Sequence, residues 1–290
     1  AQLVKPVLEA VDYDFKNTVF SYIPNSADVA FLGLVKELGN EAKRIKQEKI
    51  LALGENLNEE ALNKIMRIHP RVEKMVDKHI KQRTFITQDD SRDDLVAHIY
   101  DITYGSVVRD KDNLVIIDDS IVRGTTLKKS ILRILDRLGP KKIVVVSSAP
   151  QIRFPDCYGI DMAKMGDFIA FEATMTLLRD QGKEDYIRHI YQKCKEQENN
   201  PKELIKNYVK EIYDLFTYEE VSKKISELLT PEGINAEIEI IYQTIEKLHE
   251  GCPKNLGDWY FTGNYPTSGG NRVVNRAFIN FYEGNKERAY

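Results

Sequence analysis

The clearest feature of the hydrophobic pattern is a short apolar run that ends in two acidic residues. Residues 114–117 read Leu-Val-Ile-Ile, and Asp118 and Asp119 follow directly. A run this short, rich in β-branched residues, predicts a strand that is buried in a parallel sheet. Ligands of open α/β sheets bind at the carboxyl ends of such strands. The two carboxylates are therefore expected at a ligand-binding edge.

The residues after the acids predict a βαβ unit. Residues 127–138 are apolar at helical spacing, and Gly139-Pro140 is a typical helix exit. Residues 143–146, Ile-Val-Val-Val, predict the next buried strand, parallel to the first. This part of the chain indicates a mostly parallel twisted sheet flanked by helices.

The first hundred residues predict a further strand–loop–helix unit. Residues 18–23 alternate as in a strand, and residues 27–38 are apolar at helical spacing up to Gly39. Asn25 or Ser26 is expected to cap that helix. Three more segments are predicted: mostly helix at 40–82, broken at Pro70, a short strand at 83–87, and a helix at 94–104.

The C-terminal third has a different pattern. Beyond Asp167 it is helical, and from Gly251 it is rich in Gly, Asn and aromatic residues. We predict an α/β domain at residues 1–180, with a helical insertion at about 40–82. Residues 181–290 are expected to form a helical extension with an irregular aromatic tail.

Composition narrows the class of protein. The formal net charge of -3 over 290 residues predicts no nucleic-acid partner. No apolar run approaches about 18 residues, so no membrane partner is expected. Three cysteines (Cys157, Cys194 and Cys252) lie far apart, so neither a disulfide framework nor a zinc site is expected. The expected location is the reducing cytoplasm. Ala1 begins inside a helical pattern and is not a methionine, so we expect either a processed protein or a piece of a longer one.

The acids and the loop after them suggest a sugar phosphate ligand. Two carboxylates can hold a sugar diol or a metal ion, and Gly124 lets the backbone approach a phosphate at the start of a helix. Two other interpretations stay open. A nucleotide hydrolase would need a glycine-rich phosphate loop ending in Gly-Lys-Ser/Thr, and the chain has none. Alternatively, the acids and Thr125-Thr126 have only capping roles.

Three other side chains are candidates with simpler alternatives. Arg123 either helps to bind the phosphate or faces solvent. Arg153 follows the second buried strand and either reaches the ligand or pins its own loop. Ser26 either binds an anion or caps a helix. The five histidines show no metal-binding spacing.

Residues 115–126, read V-I-I-D-D-S-I-V-R-G-T-T, resemble the phosphoribosyl pyrophosphate (PRPP) signature of type I phosphoribosyltransferases. The wording is most similar to the glutamine PRPP amidotransferase family. Further segments resemble that family in the same order: 22–26 (Y-I-P-N-S), 83–86 (R-T-F-I), 149–155 (A-P-Q-I-R-F-P), 158–162 (Y-G-I-D-M) and 261–267 (F-T-G-N-Y-P-T). The resemblance covers residues 18 to about 270.

This resemblance implies the type I phosphoribosyltransferase fold and a reaction of de novo purine synthesis. PRPP and ammonia, drawn from glutamine, give 5-phosphoribosylamine and pyrophosphate. Asp118 and Asp119 would hold the ribose hydroxyls and Mg²⁺, with Ser26 also near the metal. Further PRPP-binding positions are implied at Ser120, Ile121, Val122, Arg123, Gly124, Thr125, Thr126, Asn25, Ser26, Arg83 and Arg153. The resemblance also implies a mobile loop that includes Arg83, purine nucleotides as inhibitors, and a homo-oligomer.

The chain also departs from the family pattern. The family carries a glutaminase domain with an N-terminal cysteine before this part, whereas the chain starts at Ala1, so only free ammonia is expected to serve it. At residues 77–86 several basic and glycine positions differ from the family pattern, and at residues 96–101 the family's cations are missing. Positions of iron–sulfur ligands in some members hold Asp156, Gly257 and Tyr260, so no cluster is expected, although Cys157 is adjacent.

Two alternative functions remain. The missing cations favour a non-catalytic protein whose site senses PRPP or a nucleotide and regulates a partner. A base-salvage phosphoribosyltransferase would share the acids and phosphate loop but not the segments at 149–155 and 261–267.

Overall fold

The computed structural model of the protein describes residues 1–24, 26–78, 100–157, 162–254 and 257–289. In these residues, five strands form one sheet in the order β2-β1-β5-β6-β7, and two more form a separate pair. The strands are β1 (Thr18–Tyr22), β2 (Arg71–Val72), β3 (Val76–Lys78), β4 (Tyr100–Ile102), β5 (Asn113–Asp118), β6 (Lys142–Ser147) and β7 (Glu237–Tyr242).

Helices account for much of the remaining described chain. They are α1 (Val4–Ala10), α2 (Asp28–Leu53), α3 (Glu59–Met66), α4 (residues 125–136), α5 (Ile169–Asp180), α6 (Glu184–Glu196), α7 (Lys210–Tyr213), α8 (Tyr218–Leu229), α9 (Ile245–Gly251), α10 (Trp259–Thr262) and α11 (Ser268–Tyr282). Among the residues that the structure covers, none of these helices has both the length and the apolar character needed to cross a membrane.

Strand β5 lies at the centre of the sheet because its side chains are apolar on both faces. Residues 114–116 are fully buried, and Ile117 is only 1% exposed. Parallel partners bond to both edges of the strand: β1 on one side and β6 on the other. A strand apolar on both faces can only be accommodated between layers. The predicted α/β class, with a mostly parallel sheet flanked by helices, is confirmed.

The chain folds into two compact units. The first unit comprises residues 1–119, 125–148 and 230–241, and the second comprises residues 120–124, 149–229 and 242–290. The chain therefore leaves the first unit at Ser120 and returns to it at Thr125. The domain boundary expected near residue 180 stays a prediction.

Helix α2 is longer than predicted. It continues through Gly39, where the pattern predicted its end, and stops at Leu53. A helical glycine costs only about 1 kcal/mol, and the residues around it offset that cost. Leu38 and Ala42 are buried, and Arg44 pairs along the helix with glutamates in both directions.

Strands replace predicted helix in four places. One of them is β2 (Arg71–Val72), which lies in the predicted insertion at 40–82. Val76–Lys78 pairs antiparallel with Tyr100–Ile102, although the first lies in the predicted insertion at 40–82 and the second in the predicted helix at 94–104. Residues 79–99, including the strand predicted at 83–87, lie outside the described chain. Strand β7 was also predicted as helix. Its alternation places Ile240 and Tyr242 in the core, and this period-2 signal was the one to follow.

The C-terminal stretch is not an irregular tail. It contains α11, a 15-residue helix that buries Val274, Ala277 and Phe278. The Gly269-Gly270 pair in its first turn obscured the helical period. Gly270 is there for space, because a Cβ on it would lie 2.4 Å from Cδ1 of Tyr265.

An ion pair at the edge of the first unit gives a stability prediction. The Asp112 carboxylate is buried and accepts hydrogen bonds from Nη1 of Arg71 at 2.9 Å and from the Val108 amide at 2.9 Å. Replacing Asp112 by alanine should lower the free energy of unfolding by about 3 kcal/mol, because both donors lose their acceptor. Urea unfolding measures this loss. Asp77→Ala breaks an exposed pair with Lys74 and should cost under about 1 kcal/mol; equal losses would contradict the expectation.

Candidate functional site

The two predicted acids stand where three parallel strands end together. Ile117 is level with Tyr22 of β1 and Val146 of β6, and Asp118 is level with Ser147. The Ile23 amide extends this alignment by donating to the Ile117 carbonyl at 2.9 Å. The carboxyl ends of β1, β5 and β6 thus form one edge of the sheet, which is where α/β proteins bind ligands.

Ser148 fixes the backbone of both acids to the end of β6. Its amide donates to the Asp118 carbonyl at 2.9 Å, and its hydroxyl donates to the Asp119 carbonyl at 3.0 Å. The main chain that carries both carboxylates is therefore bonded to the end of β6. Sequence reasoning missed this role, although a hydroxyl-bearing residue just past a strand end was a visible signal.

The side chains of Asp118 and Asp119 interact with each other. The Asp119 amide donates to Oδ1 of Asp118 at 2.9 Å. Burial raises the pKa of Asp118 well above its usual value, and the Asp119 carboxyl raises it further. Two carboxyl groups in this arrangement favour a shared proton, a cation or hydrogen-bond donors beside them.

The loop after the acids is held by contacts within the second unit. Ile121 is buried, and the Val122 carbonyl accepts a hydrogen bond from the Ile169 amide at 2.8 Å. Arg123 forms an ion pair with Asp167 at 2.9 Å while its side chain stays 43% exposed. Its guanidinium is thus already paired, and contact with a phosphate stays a prediction.

Gly124 occupies a backbone conformation and a space that other residues do not fit. Its φ is +69°, and a Cβ built on it would lie 2.5 Å from Cδ2 of Leu229. Leu229 is the last residue of α8 and is 2% exposed. The glycine therefore serves both the turn and the packing of α8. The motif predicted only that the backbone at Gly124 can approach a phosphate.

Helix α4 begins directly after Gly124. Thr125 and Thr126 form its start, and the Thr126 side chain makes no capping hydrogen bond. The next turn, Leu127–Ile131, is π-helical. Such turns are uncommon and often lie near functional sites. The start of a helix after an acidic strand end suits an anionic group.

Three other predicted positions gain no structural role here. Asn25 and Arg83 fall outside the described residues, as does most of the predicted mobile loop. Ser26 is exposed and is not the helix cap that the sequence predicted. Helix α2 begins at Asp28, so Ala27 occupies the cap position, and no side chain caps the helix. Roles for all three in PRPP or metal binding stay predictions.

Arg153 is enclosed by its own neighbours in the second unit. Its Nε and Nη2 donate to Oε1 of Gln151 at 3.1 and 2.8 Å, and its guanidinium carbon lies 5.1 Å from the ring centres of both Tyr213 and Tyr218. Burial lowers the pKa of Arg153. These contacts pin the loop after β6, and a direct role in PRPP binding stays a prediction.

The donor set at the acids fits magnesium bound together with a substrate. Mg²⁺ prefers oxygen ligands and is often held by one or two carboxylates plus phosphate oxygens. Asp118 and Asp119 supply two carboxylates whose charges oppose each other. Within the described ranges, no group of three or more His, Cys, Asp or Glu side chains is gathered, so the remaining ligands would come from substrate and water.

Comparison with known proteins supports the motif-based resemblance. One segment is 46% identical over 69 residues to amidophosphoribosyltransferase of Pasteurella multocida, covering 24% of this chain and 13% of that protein. The Escherichia coli enzyme of the same name is 50% identical over 62 residues, 21% of this chain and 12% of that protein. Amidophosphoribosyltransferase of Schizosaccharomyces pombe is 45% identical over 62 residues, which cover 21% of this chain and 11% of that protein. The similarity thus spans about an eighth of these relatives' length.

Solved structures give a weaker likeness. A structure titled as the allosteric regulatory enzyme of purine biosynthesis aligns with 92% of this chain and 40% of its own, at 20% identity and a TM-score of 0.46. Glutamine PRPP amidotransferase from B. subtilis, complexed with ADP and GMP, aligns with 87% of this chain and 38% of its own, at 21% identity and a TM-score of 0.43. No family model matches the chain.

Proposed function

We propose that these residues form the phosphoribosyltransferase site of an amidophosphoribosyltransferase of purine synthesis, which makes 5-phosphoribosylamine from PRPP and ammonia. The nitrogen lone pair of ammonia forms the bond to the anomeric carbon, the bond from that carbon to pyrophosphate breaks, and the nitrogen loses a proton. The observation that supports this most is the placement of Asp118 and Asp119. They end the central parallel strand and lead directly into Gly124 and the start of α4.

The acids would act on the ribose. Departure of pyrophosphate builds positive charge on the ribose ring, and carboxylates beside the ring stabilise that charge. Asp118 and Asp119 would also accept hydrogen bonds from the ribose hydroxyls. Magnesium, when bound here with PRPP, would neutralise the leaving pyrophosphate. Because Ser148 holds the backbone of both acids, their carboxylates need little rearrangement before they bind.

The loop Ser120–Thr126 would bind the 5'-phosphate. Gly124 at φ +69° lets the backbone approach closely, and the following helix start favours a dianion. A purine nucleotide carries the same 5'-phosphate on a ribose. We therefore propose that purine nucleotides compete with PRPP for this loop. A cytoplasmic location and a homo-oligomeric state are part of the same proposal.

Turnover with free ammonia tests the proposal. The chain, supplied with PRPP, Mg²⁺ and ammonium at about pH 8, is expected to release pyrophosphate and 5-phosphoribosylamine at a rate proportional to protein concentration. Asp185→Asn is the matched control, because this aspartate is 94% exposed on α6, and it should leave the rate unchanged. No product above the uncatalysed rate, with no PRPP bound in calorimetry, would refute the proposal.

A second function is favoured by one sequence observation, the absence of family cations at 96–101. It is a regulatory protein whose site senses PRPP or a nucleotide without turnover. The same experiment separates the two functions, since a regulator binds PRPP in calorimetry and releases no pyrophosphate. Product formation excludes the regulator.

A further inference from the structure

A cavity lies in the second unit and takes no part in the proposed reaction. Its volume is about 230 Å³, and its walls come from α6, the segment after α6, α11 and Ala289. Two arginines of α11, Arg272 and Arg276, line it one helical turn apart. Like charges at this spacing repel, so an anion between them would stabilise the helix.

Arg272 carries a buried hydrogen-bond donor that has no acceptor. Its Nη2 donates to the Asn200 carbonyl at 3.2 Å, but its Nε is buried without a hydrogen-bond partner. Among the described residues it forms no ion pair. A buried charged donor without an acceptor is costly, and such a group commonly marks the place of a missing ligand or water.

The acidic residue that lines the cavity, Glu198, already forms ion pairs with two basic side chains. Glu198 pairs with Nη1 of Arg276 and, through its second oxygen, with Nζ of Lys195 at 3.2 Å. Cys194 adds no negative charge, because burial raises the pKa of its thiol to about 12. The lining therefore keeps an excess of positive charge.

The polar amides of the wall are also occupied. Asn275 donates from Nδ2 to the Lys206 carbonyl at 2.8 Å, and Oε1 of Gln197 accepts from the Lys206 amide at 2.9 Å. These bonds hold the wall in place and provide no acceptor for Nε of Arg272. The rest of the lining includes Ile205 and Ile279, which are buried and apolar.

We propose that this cavity binds a small organic anion, with its carboxylate or phosphate head on Arg272 and Arg276 and a compact apolar body against Ile205 and Ile279. A cavity of about 150 Å³ holds benzene, so this volume suits a ligand of roughly nine non-hydrogen atoms. Planar guanidinium groups bind both carboxylate and phosphate through paired hydrogen bonds, which is the chemistry that the two heads share.

Calorimetry with simple probes tests the proposal. Benzoate supplies a carboxylate on an apolar body, inorganic phosphate supplies the other head alone, and benzyl alcohol is the neutral control. Saturable binding of either anion is expected, together with a higher thermal midpoint. Arg272→Gln should weaken that binding by about tenfold or more, whereas Arg188→Gln, an exposed arginine of α6, should not change it.

A second variant keeps the test valid if Arg272→Gln disturbs folding. Ala289→Phe places a ring at the cavity and leaves both arginines intact, so it should abolish anion binding without lowering the thermal midpoint. The proposal is overturned if neither anion binds below about 10 mM. It is also overturned if Arg272→Gln and Ala289→Phe leave binding unchanged, or if benzyl alcohol binds as tightly as benzoate.

Discussion

Replacing both Asp118 and Asp119 by asparagine is expected to weaken the binding of PRPP with Mg²⁺ by about 100-fold or more. Each hydrogen bond to a charged group contributes about 1.5–3 kcal/mol, and the double variant removes both charges while keeping the shape of the side chains. Calorimetry at saturating Mg²⁺ measures the change. Asp185→Asn, far more exposed, should bind PRPP like the unaltered chain.

The single variant Asp118→Asn should stabilise the protein in the absence of divalent cations. Burial and Asp119 raise the pKa of Asp118 in the folded state, so its ionisation opposes folding at neutral pH. This loss of stability from the ionised Asp118 carboxylate is absent below the unfolded pKa of about 3.9 and reaches its full size above the folded pKa. Urea unfolding at about pH 7 with EDTA should show a gain on the order of 1 kcal/mol, which disappears below about pH 4.

These two results together distinguish a binding site from a structural strand end. If the acids only cap the loop, asparagine should lower stability and leave PRPP affinity unchanged. If they form the site, affinity falls while stability rises, as is common where function opposes folding. Unchanged PRPP affinity in the double variant would remove Asp118 and Asp119 from the proposed site.

Replacing Gly124 by alanine is expected to lower the free energy of unfolding by about 2–5 kcal/mol. An L residue at φ +69° costs about 1–2 kcal/mol, and the added Cβ, 2.5 Å from Leu229, forces a further shift of about 1–3 kcal/mol. The displaced loop should also bind PRPP at least about tenfold more weakly. Urea unfolding and calorimetry measure the two effects.

Two controls separate the steric effect from the backbone effect. Gly182 has φ +66° with no atom within 4 Å of a built Cβ, so Gly182→Ala should show only the backbone cost. In a Leu229→Ala background, Gly124→Ala should cost less than it does in the unaltered chain, because the methyl group now has room. Equal costs at Gly124 and Gly182, or no change in the Leu229→Ala background, would refute the packing role.

The sequence predicted the centre of the fold because local pattern and burial agree there. Residues 114–117 and 143–146 are apolar on both faces, and only a buried parallel strand accommodates such runs. Gly139 with φ +71° ends the intervening helix region as the pattern indicated. Both the strand that carries Asp118 and its neighbour could therefore be predicted from the residues alone.

The errors arose where tertiary contacts outweigh local propensity. Gly39 predicted a helix end, but burial of Leu38 and Ala42 carries α2 past it. The glycine pair at 269–270 concealed α11, because Gly270 is required by the ring of Tyr265, a contact that no local pattern reveals. Strand β7 followed its own alternation, which the surrounding helical pattern outweighed in the prediction.

The sequence predicted which residues carry the chemistry of the candidate site, but not which distant residues hold them in place. The motif identified Asp118, Asp119 and Gly124 as one segment. The hydroxyl-bearing residue just past β6 was a signal for the bond from Ser148 to the acids' backbone, but nothing in the sequence indicated that Leu229 lies where a Cβ of Gly124 would be. These partners lie 29 or more residues away in sequence, so only the folded chain brings them together.

The position of β5 in the sheet has an entropic consequence. Partner strands bond to both edges, four consecutive residues at 114–117 are almost fully buried, and Ser148 continues the pairing past the strand's end. The main chain under Asp118 therefore has little conformational freedom to lose. A ligand that binds the two acids therefore does not have to order the main chain that carries them, and this part of the entropic cost of binding is absent.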